Sequence, residues 1–181
     1  MRIASLVATA LIFVHCTKTR NQTLPPDVGT SNGLVKLGGD LLAAAERDDR
    51  EQLANLFAST VLTPEEWTAV FGGAATPFGA RYQSTMAELV KRAPVELVAQ
   101  VYENKYDSVE VMPIVPDANE THPTDRAIAR ALRTPLRWFS LRLYRRDRPG
   151  GLLYRCFFFW NGHWRTANSV GRWLLEAGGS P

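Results

Sequence analysis

The chain is poor in the residues that usually mark chemistry. Two cysteines in 181 residues are too few for a disulfide-dense scaffold or a thiolate zinc site, so packing must hold the core. The three histidines, His15, His122 and His163, stand far apart and outside any metal-ligand spacing such as His-Glu-x-x-His. There is no Gly-x-Ser-x-Gly, no phosphate-cradling glycine loop and no dinucleotide glycine fingerprint. Neither a metal nor a cofactor is expected, and no catalytic residue is assigned. No apolar run reaches the roughly 20 residues that a membrane-spanning helix needs. What is present is ordinary for a globular chain: 45% hydrophobic, 22% charged, 13 Gly and 11 Pro. Those values exclude a collagen-like or wholly disordered polymer.

Charge is segregated along the chain. Residues 40–120 carry six basic and fourteen acidic side chains, a net of −8. Residues 121–181 carry eleven arginines, no lysine and three acids, a net of +8. The split is read as mutual attraction between two parts of one fold, with an anionic partner for the arginine-rich end as the other reading.

Residues 3–14 form an apolar run behind Arg2, too short to span a bilayer but suited to a secretory signal. It ends at Phe13-Val14-His15-Cys16, which resembles the lipobox of bacterial lipoproteins. His15 stands where that family has a small residue. The resemblance implies lipidation of Cys16, cleavage before it, export, and attachment to the membrane on the periplasmic or cell-surface side. Residues 1–15 are thus read as a signal peptide. Residues 16–35, with Pro25-Pro26, Gly29 and Gly33 and no hydrophobic period, are read as a flexible tether. A single domain is expected over 36–175, with a tail at 176–181.

Leu37, Leu41, Leu42 and Ala45 recur at helical spacing, as do Leu53, Leu56 and Phe57, predicting helices near 37–47 and 49–58. Thr63-Pro64-Glu65-Glu66 combines a cap, a first-turn proline and a capping-box acid. Its carboxylates read as helix-start charges rather than catalytic groups. A longer helix is expected over 80–92, ending at Pro94. Residues 95–102 fit helix or strand and are read as helix. Residues 109–113 alternate and read as an edge strand because of Pro113. A loop over 116–124 and a short basic helix over 125–133 follow.

Residues 136–144 alternate cleanly, with Phe139, Leu141 and Leu143 on one face and Trp138, Ser140, Arg142 and Tyr144 on the other. Asn161-Gly162 predicts a two-residue type I′ hairpin that sets Trp160 opposite His163, Phe158 opposite Arg165 and Cys156 opposite Ala167. Phe157, Phe159 and Trp164 fall on the opposite face. Both faces then need cover, one from the helices and the other from a further layer, a ligand or a partner subunit. Cys156, inside an apolar strand, reads as an inert small hydrophobe rather than a nucleophile paired with His163.

The fold class expected is α+β, with N-terminal helices packed on a curved antiparallel sheet. Leu41-Leu42-Ala43-Ala44-Ala45-Glu46 through Phe57, and Phe157-Phe158-Phe159-Trp160-Asn161-Gly162-His163-Trp164-Arg165-Thr166-Ala167, resemble the opening helices and last hairpin of the nuclear-transport-factor-like cone superfamily, which includes ketosteroid isomerase and polyketide cyclases. The resemblance covers about residues 36–170 and implies a cone-shaped pocket and dimerisation.

Enzymes of that superfamily use a carboxylate base with a tyrosine or acid as oxyanion donor. Asp107, Glu110, Tyr82, Tyr102 and Tyr106 offer the residue types without a matching spacing. A second candidate surface interleaves arginines with aromatics: Trp138, Arg142, Tyr144, Phe158, Trp160 and Arg165. Such a surface suits an anionic polymer or lipid headgroups, although an exported location argues against nucleic acid. The functional expectation is a non-enzymatic, lipid-anchored envelope protein. It would bind a small apolar ligand or a protein partner, with a homodimer through the sheet. A small isomerase or cyclase is the alternative.

Overall fold

The computed structural model describes residues 30–115 and 122–178. The leader, the lipidation site Cys16 and most of the expected tether lie outside the described residues.

The first helix, α1 (Ser31–Glu46), begins five residues before the expected domain start. Leu34 is fully buried and belongs to the same face as Leu41, Leu42 and Ala45. Gly38 interrupts that face and hides its period in the sequence. At Gly38 a Cβ would lie 2.6 Å from Val109 Cγ1 and 2.8 Å from Leu141 Cδ1. The missing side chain is what lets α1 lie directly on the sheet.

Helix α2 (Arg50–Ser59) is capped by Asp49, whose side chain accepts from the Gln52 amide at 3.0 Å. Helix α3 (Pro64–Val70) has both bonds of the expected capping box. Thr63 Oγ1 accepts from the Glu66 amide and Glu66 Oε2 accepts from the Thr63 amide. After a 3₁₀ turn (Gly73–Phe78), α4 runs from Gly79 to Asn104. It passes straight through Pro94, where a boundary is expected from sequence. An interior proline costs about 3 kcal/mol. Against this, Ala93, Pro94, Leu97 and Val101 are all buried and extend the stripe begun by Tyr82 and Met86. Burying each large apolar side chain contributes roughly 1.5–3 kcal/mol, so packing wins.

Four antiparallel strands follow in the order β1-β2-β3-β4: β1 (Ser108–Ile114), β2 (Trp138–Tyr144), β3 (Leu152–Trp160) and β4 (His163–Thr166). Strand β1 lies at the sheet edge, as Pro113 requires. Helix α5 (Pro123–Ala131) precedes β2, and α6 (Val170–Gly178) reaches into the stretch read as a tail. The hairpin register is the expected one, with Trp160 opposite His163 and Phe158 opposite Arg165. Asn161 and Gly162 have φ of 47° and 85°, the left-handed pair that a type I′ turn demands.

Between the pairs Phe139–Phe157 and Leu141–Tyr154, β2 has one residue, Ser140, while β3 has two, Arg155 and Cys156. This is a β-bulge, and Cys156 sits in it with φ of 64°. The bulge restores Tyr154 and Leu152 to the face of Phe157.

Two apolar clusters result. On one face, Leu141, Leu143 and Phe157 pack beneath α1, α2 and the C-terminal half of α4. On the other, Trp138, Cys156 and Phe158 pack against α3, α5, α6 and the start of α4 through Trp67, Ile128, Trp173 and Met86. The architecture is therefore α+β, helices on a four-stranded antiparallel sheet. Helices cover both faces in part, so the second face does not wait on a partner along its whole length. On that face Glu110, Arg142 and Tyr144 are half-buried, and Leu153 is 44% exposed.

Among the described residues, three ion pairs join an acid of residues 40–120 to an arginine of 121–181: Glu66–Arg165, Glu110–Arg142 and Asp107–Arg146.

Candidate functional site

The six residues of the expected aromatic-basic surface do not share one surface. Trp138, Phe158 and Arg165 are interior, 4%, 0% and 9% exposed. The alternation rule placed them on one face correctly but could not show that α3, α5 and α6 cover it. Arg165 is a structural crosslink: its guanidinium donates to Glu66 Oε1 at 2.9 Å and to the Ser59 carbonyl. Arg142 lies over the Tyr144 ring at 4.8 Å and pairs with Glu110 at 3.3 Å, without hydrogen-bond geometry. Trp160 is half-buried on the edge of the second cluster.

The five residues considered for an isomerase centre also separate. Tyr82 is a core crosslink, its hydroxyl donating to the Thr166 carbonyl at 2.7 Å and accepting from the Leu62 amide at 3.1 Å. Glu110 faces Arg142. Asp107, Tyr102 and Tyr106 line one groove of about 680 Å³ at the C-terminal end of α4. Charges of both signs, Glu46, Asp48, Arg50, Glu103 and Lys105, also line it. There the Ser108 hydroxyl, donating at 2.7 Å, holds the Asp107 carboxyl below the usual range, and Arg146 adds to this. A solvated, low-pKa carboxylate is the opposite of a desolvated base poised near neutrality.

Sequence reading missed the partner of Cys156. Asp125, at the start of α5, is 5% exposed; its Oδ2 accepts from Arg155 at 2.8 Å and its Oδ1 from the Cys156 thiol at 3.4 Å. Burial pushes the thiol well above its usual pKa, and the Asp125 charge adds to the shift. Cys156 is therefore a protonated donor, not a thiolate nucleophile. The one local signal was an acid at the head of a helix rich in arginine.

The groove best suited to a ligand lies between α1 and the β3–β4 hairpin. It encloses about 370 Å³ and is lined by Asn32, Gly33, Lys36 and Leu37 of α1, Ser59 at the end of α2, and Phe159, Gly162, His163 and Trp164 of the hairpin. That volume lies within the range of small-molecule sites. The Asn-Gly turn creates it: by folding β4 back on β3, the turn sets Trp164 directly opposite Phe159. The Trp164 ring then packs edge-on against Phe139 at 5.6 Å and Phe159 at 5.5 Å. Its Nε1–H is buried and has no acceptor. At the rim, Lys36 is exposed and paired with Asp40 at 2.6 Å, and His163 is exposed. The wall is apolar and the polar groups stand at the mouth. Such a site can hold a small apolar body. Sequence analysis placed Phe159 and Trp164 on a shared face but did not select them, because α1 had not been extended to Asn32.

Among the described residues there is no group of three or more His, Cys, Asp or Glu able to hold a metal. No described helix is long and apolar enough to cross a membrane. The chain matches no family model, no curated protein and no solved structure.

Proposed function

We propose that this protein is an exported, lipid-anchored, non-enzymatic binding protein of the cell envelope, and that its ligand is a small apolar molecule taken into the groove between α1 and the hairpin. The observation that carries the reading is the groove of about 370 Å³ itself, walled by the apolar side chains of Leu37, Phe159 and Trp164. The apolar leader ending at Cys16 supports export and anchoring. The resemblance to the cone superfamily supports a fold built around a ligand pocket.

Native mass spectrometry of the protein purified from the organism that makes it tests the reading. The expected result is a copurifying molecule of small mass on the wild-type chain, with loss of it in Trp164→Ala. Wild-type protein that carries nothing, or a ligand retained unchanged by Trp164→Ala, would overturn the assignment of this groove.

A further inference from the structure

Helix α5 is anchored by one face. Asp125 and Ile128, three positions apart, are buried at 5% and 2% exposed. Arg126 and Arg130 fall on the outer side, the first half-buried and the second exposed. Past the helix the chain is pinned: Leu132 forms a β-bridge with Phe71, and the Arg133 amide donates to the Val70 carbonyl at 2.9 Å. Pro135 and Leu136 then lead into Trp138, the first residue of β2, which packs edge-on against Phe158 at 4.9 Å. Helix and connection enclose a cleft of about 300 Å³, lined by Arg126, Arg130, Leu132, Pro135, Leu136 and Trp138. That volume is at the low end of small-molecule sites. The bridge and the strand fix its walls, so little reordering is needed to fill it.

The charged side chains lining this cleft are both arginines. In this it differs from the groove at the end of α4, which is lined by charges of both signs. Among the described residues neither guanidinium has a carboxylate partner. The helix macrodipole accounts for Arg130, in the last turn, but not for Arg126, in the first half of the helix. The helix end is a weak opponent of an anion, with a partial charge of about −0.5 against two full positive charges. Two of its carbonyls are already satisfied, Ala129 by the Leu132 amide and Ala131 by the Gly72 amide. Side chains at i and i+4 are neighbours on a helix, so both guanidinium groups can reach one carboxylate. A bare anion would leave the wall of Leu132, Pro135, Leu136 and Trp138 unfilled.

We infer that this cleft is a second binding site and that it takes a small carboxylate carrying an apolar body. The carboxylate sits between Arg126 and Arg130, whose planar forks match its two oxygens. The apolar body lies along Leu136 and Trp138. The site shares no lining residue with the groove beside the hairpin, so it stands or falls apart from the ligand proposed there and from anchoring.

Equilibrium dialysis of the full chain against 2-naphthoate and its neutral analogue 2-naphthamide tests the inference. The leader is common to every variant, so differences between variants report the folded domain. Naphthoate should bind about tenfold more tightly than the amide, roughly threefold for each partly exposed guanidinium–carboxylate pair. Arg126→Gln/Arg130→Gln should erase that margin and leave binding of the amide unchanged. Arg47→Gln/Arg148→Gln removes the same charge outside the cleft and should keep the margin, as should Trp164→Ala in the other groove. Acetate, which lacks the apolar body, should displace naphthoate only at far higher concentration. Wild-type protein that binds neither probe, or both equally, would overturn the inference, as would a margin that survives the change at Arg126 and Arg130. An equal loss in Arg47→Gln/Arg148→Gln would do the same, because net charge would then explain it. Loss of the margin in Trp164→Ala would place the anion in the hairpin groove instead, and acetate competing as well as naphthoate would remove the apolar wall from the account; either result ends the proposal.

Discussion

Tyr82→Phe should destabilise the domain far more than the loss of one oxygen atom suggests. Tyr82 is fully buried on α4, and its hydroxyl joins three elements that are distant in sequence. It donates to the carbonyl of Thr166 at the end of β4 and accepts from the amide of Leu62 in the α2–α3 connection. Leu62 is itself 0% exposed, so water cannot replace the lost acceptor without opening the structure. Each neutral hydrogen bond contributes about 0.5–1.5 kcal/mol net, and an orphaned buried amide costs about 1–3 kcal/mol. The expected loss is about 2–3 kcal/mol, or roughly 6–10 °C in Tm for a domain of this size. Urea unfolding of wild type and variant, fitted with a common m-value, measures it directly. Tyr102→Phe is the control, because Tyr102 is 74% exposed, and it should change stability by less than about 0.5 kcal/mol. A Tyr82→Phe midpoint within the error of wild type would refute the claim that this hydroxyl crosslinks α4, β4 and the α2–α3 connection.

Four further outcomes are expected. Removing residues 1–29 should leave cooperative thermal unfolding intact, whereas removing 1–35 also deletes buried Leu34 and should cost at least about 2 kcal/mol; equal melting of the two would place the domain start later. Gly162→Val forces a β-branched residue to φ of 85° and should cost on the order of 1 kcal/mol or more, so an unchanged midpoint would argue against the turn. Burial raises the pKa of Cys156, Tyr82 and Tyr154, so the native state holds protons that the unfolded chain releases. Stability should therefore be full below about pH 8 and fall as pH rises through the unfolded thiol and phenol values near 8.5 and 10. Cys156→Ala should flatten the first part of that fall in a pH series of urea midpoints, and a curve as steep as wild type would remove Cys156 from the account. Finally, lipidated and cleaved protein starts at Cys16 and keeps 166 residues. Its intact mass should show this with added acyl chains, and His15→Ala should raise the processed fraction; an unmodified full-length mass would end the anchoring proposal.

Several features were legible because a few neighbouring residues settle them. Thr63 and Glu66 close a capping box through bonds that span three residues. Asn161-Gly162 sets the hairpin register through its own backbone dihedrals. The alternation of Phe139, Leu141 and Leu143 follows from the pleat alone. These signals, with the helical periods before them, were enough for the α+β class.

Other features depend on contacts between residues far apart in the chain. Pro94 breaks an isolated helix, and only the pocket that buries Ala93, Leu97 and Val101 carries α4 past it. Gly38 weakens a helix by propensity, yet against Val109 and Leu141 it is the residue that permits contact. Alternation assigned Trp138, Phe158 and Arg165 to one face of the sheet, but the path of α3, α5 and α6 turned that face into interior. The groove beside the hairpin is the same kind of product, since Leu37 and Trp164 lie 127 positions apart in sequence and line one space only once α1 docks beside the hairpin. Local chemistry determined the elements and their faces. Which faces were buried, and where a ligand-sized groove remained, was decided by long-range packing, whose energy depends on shapes that no window of sequence contains.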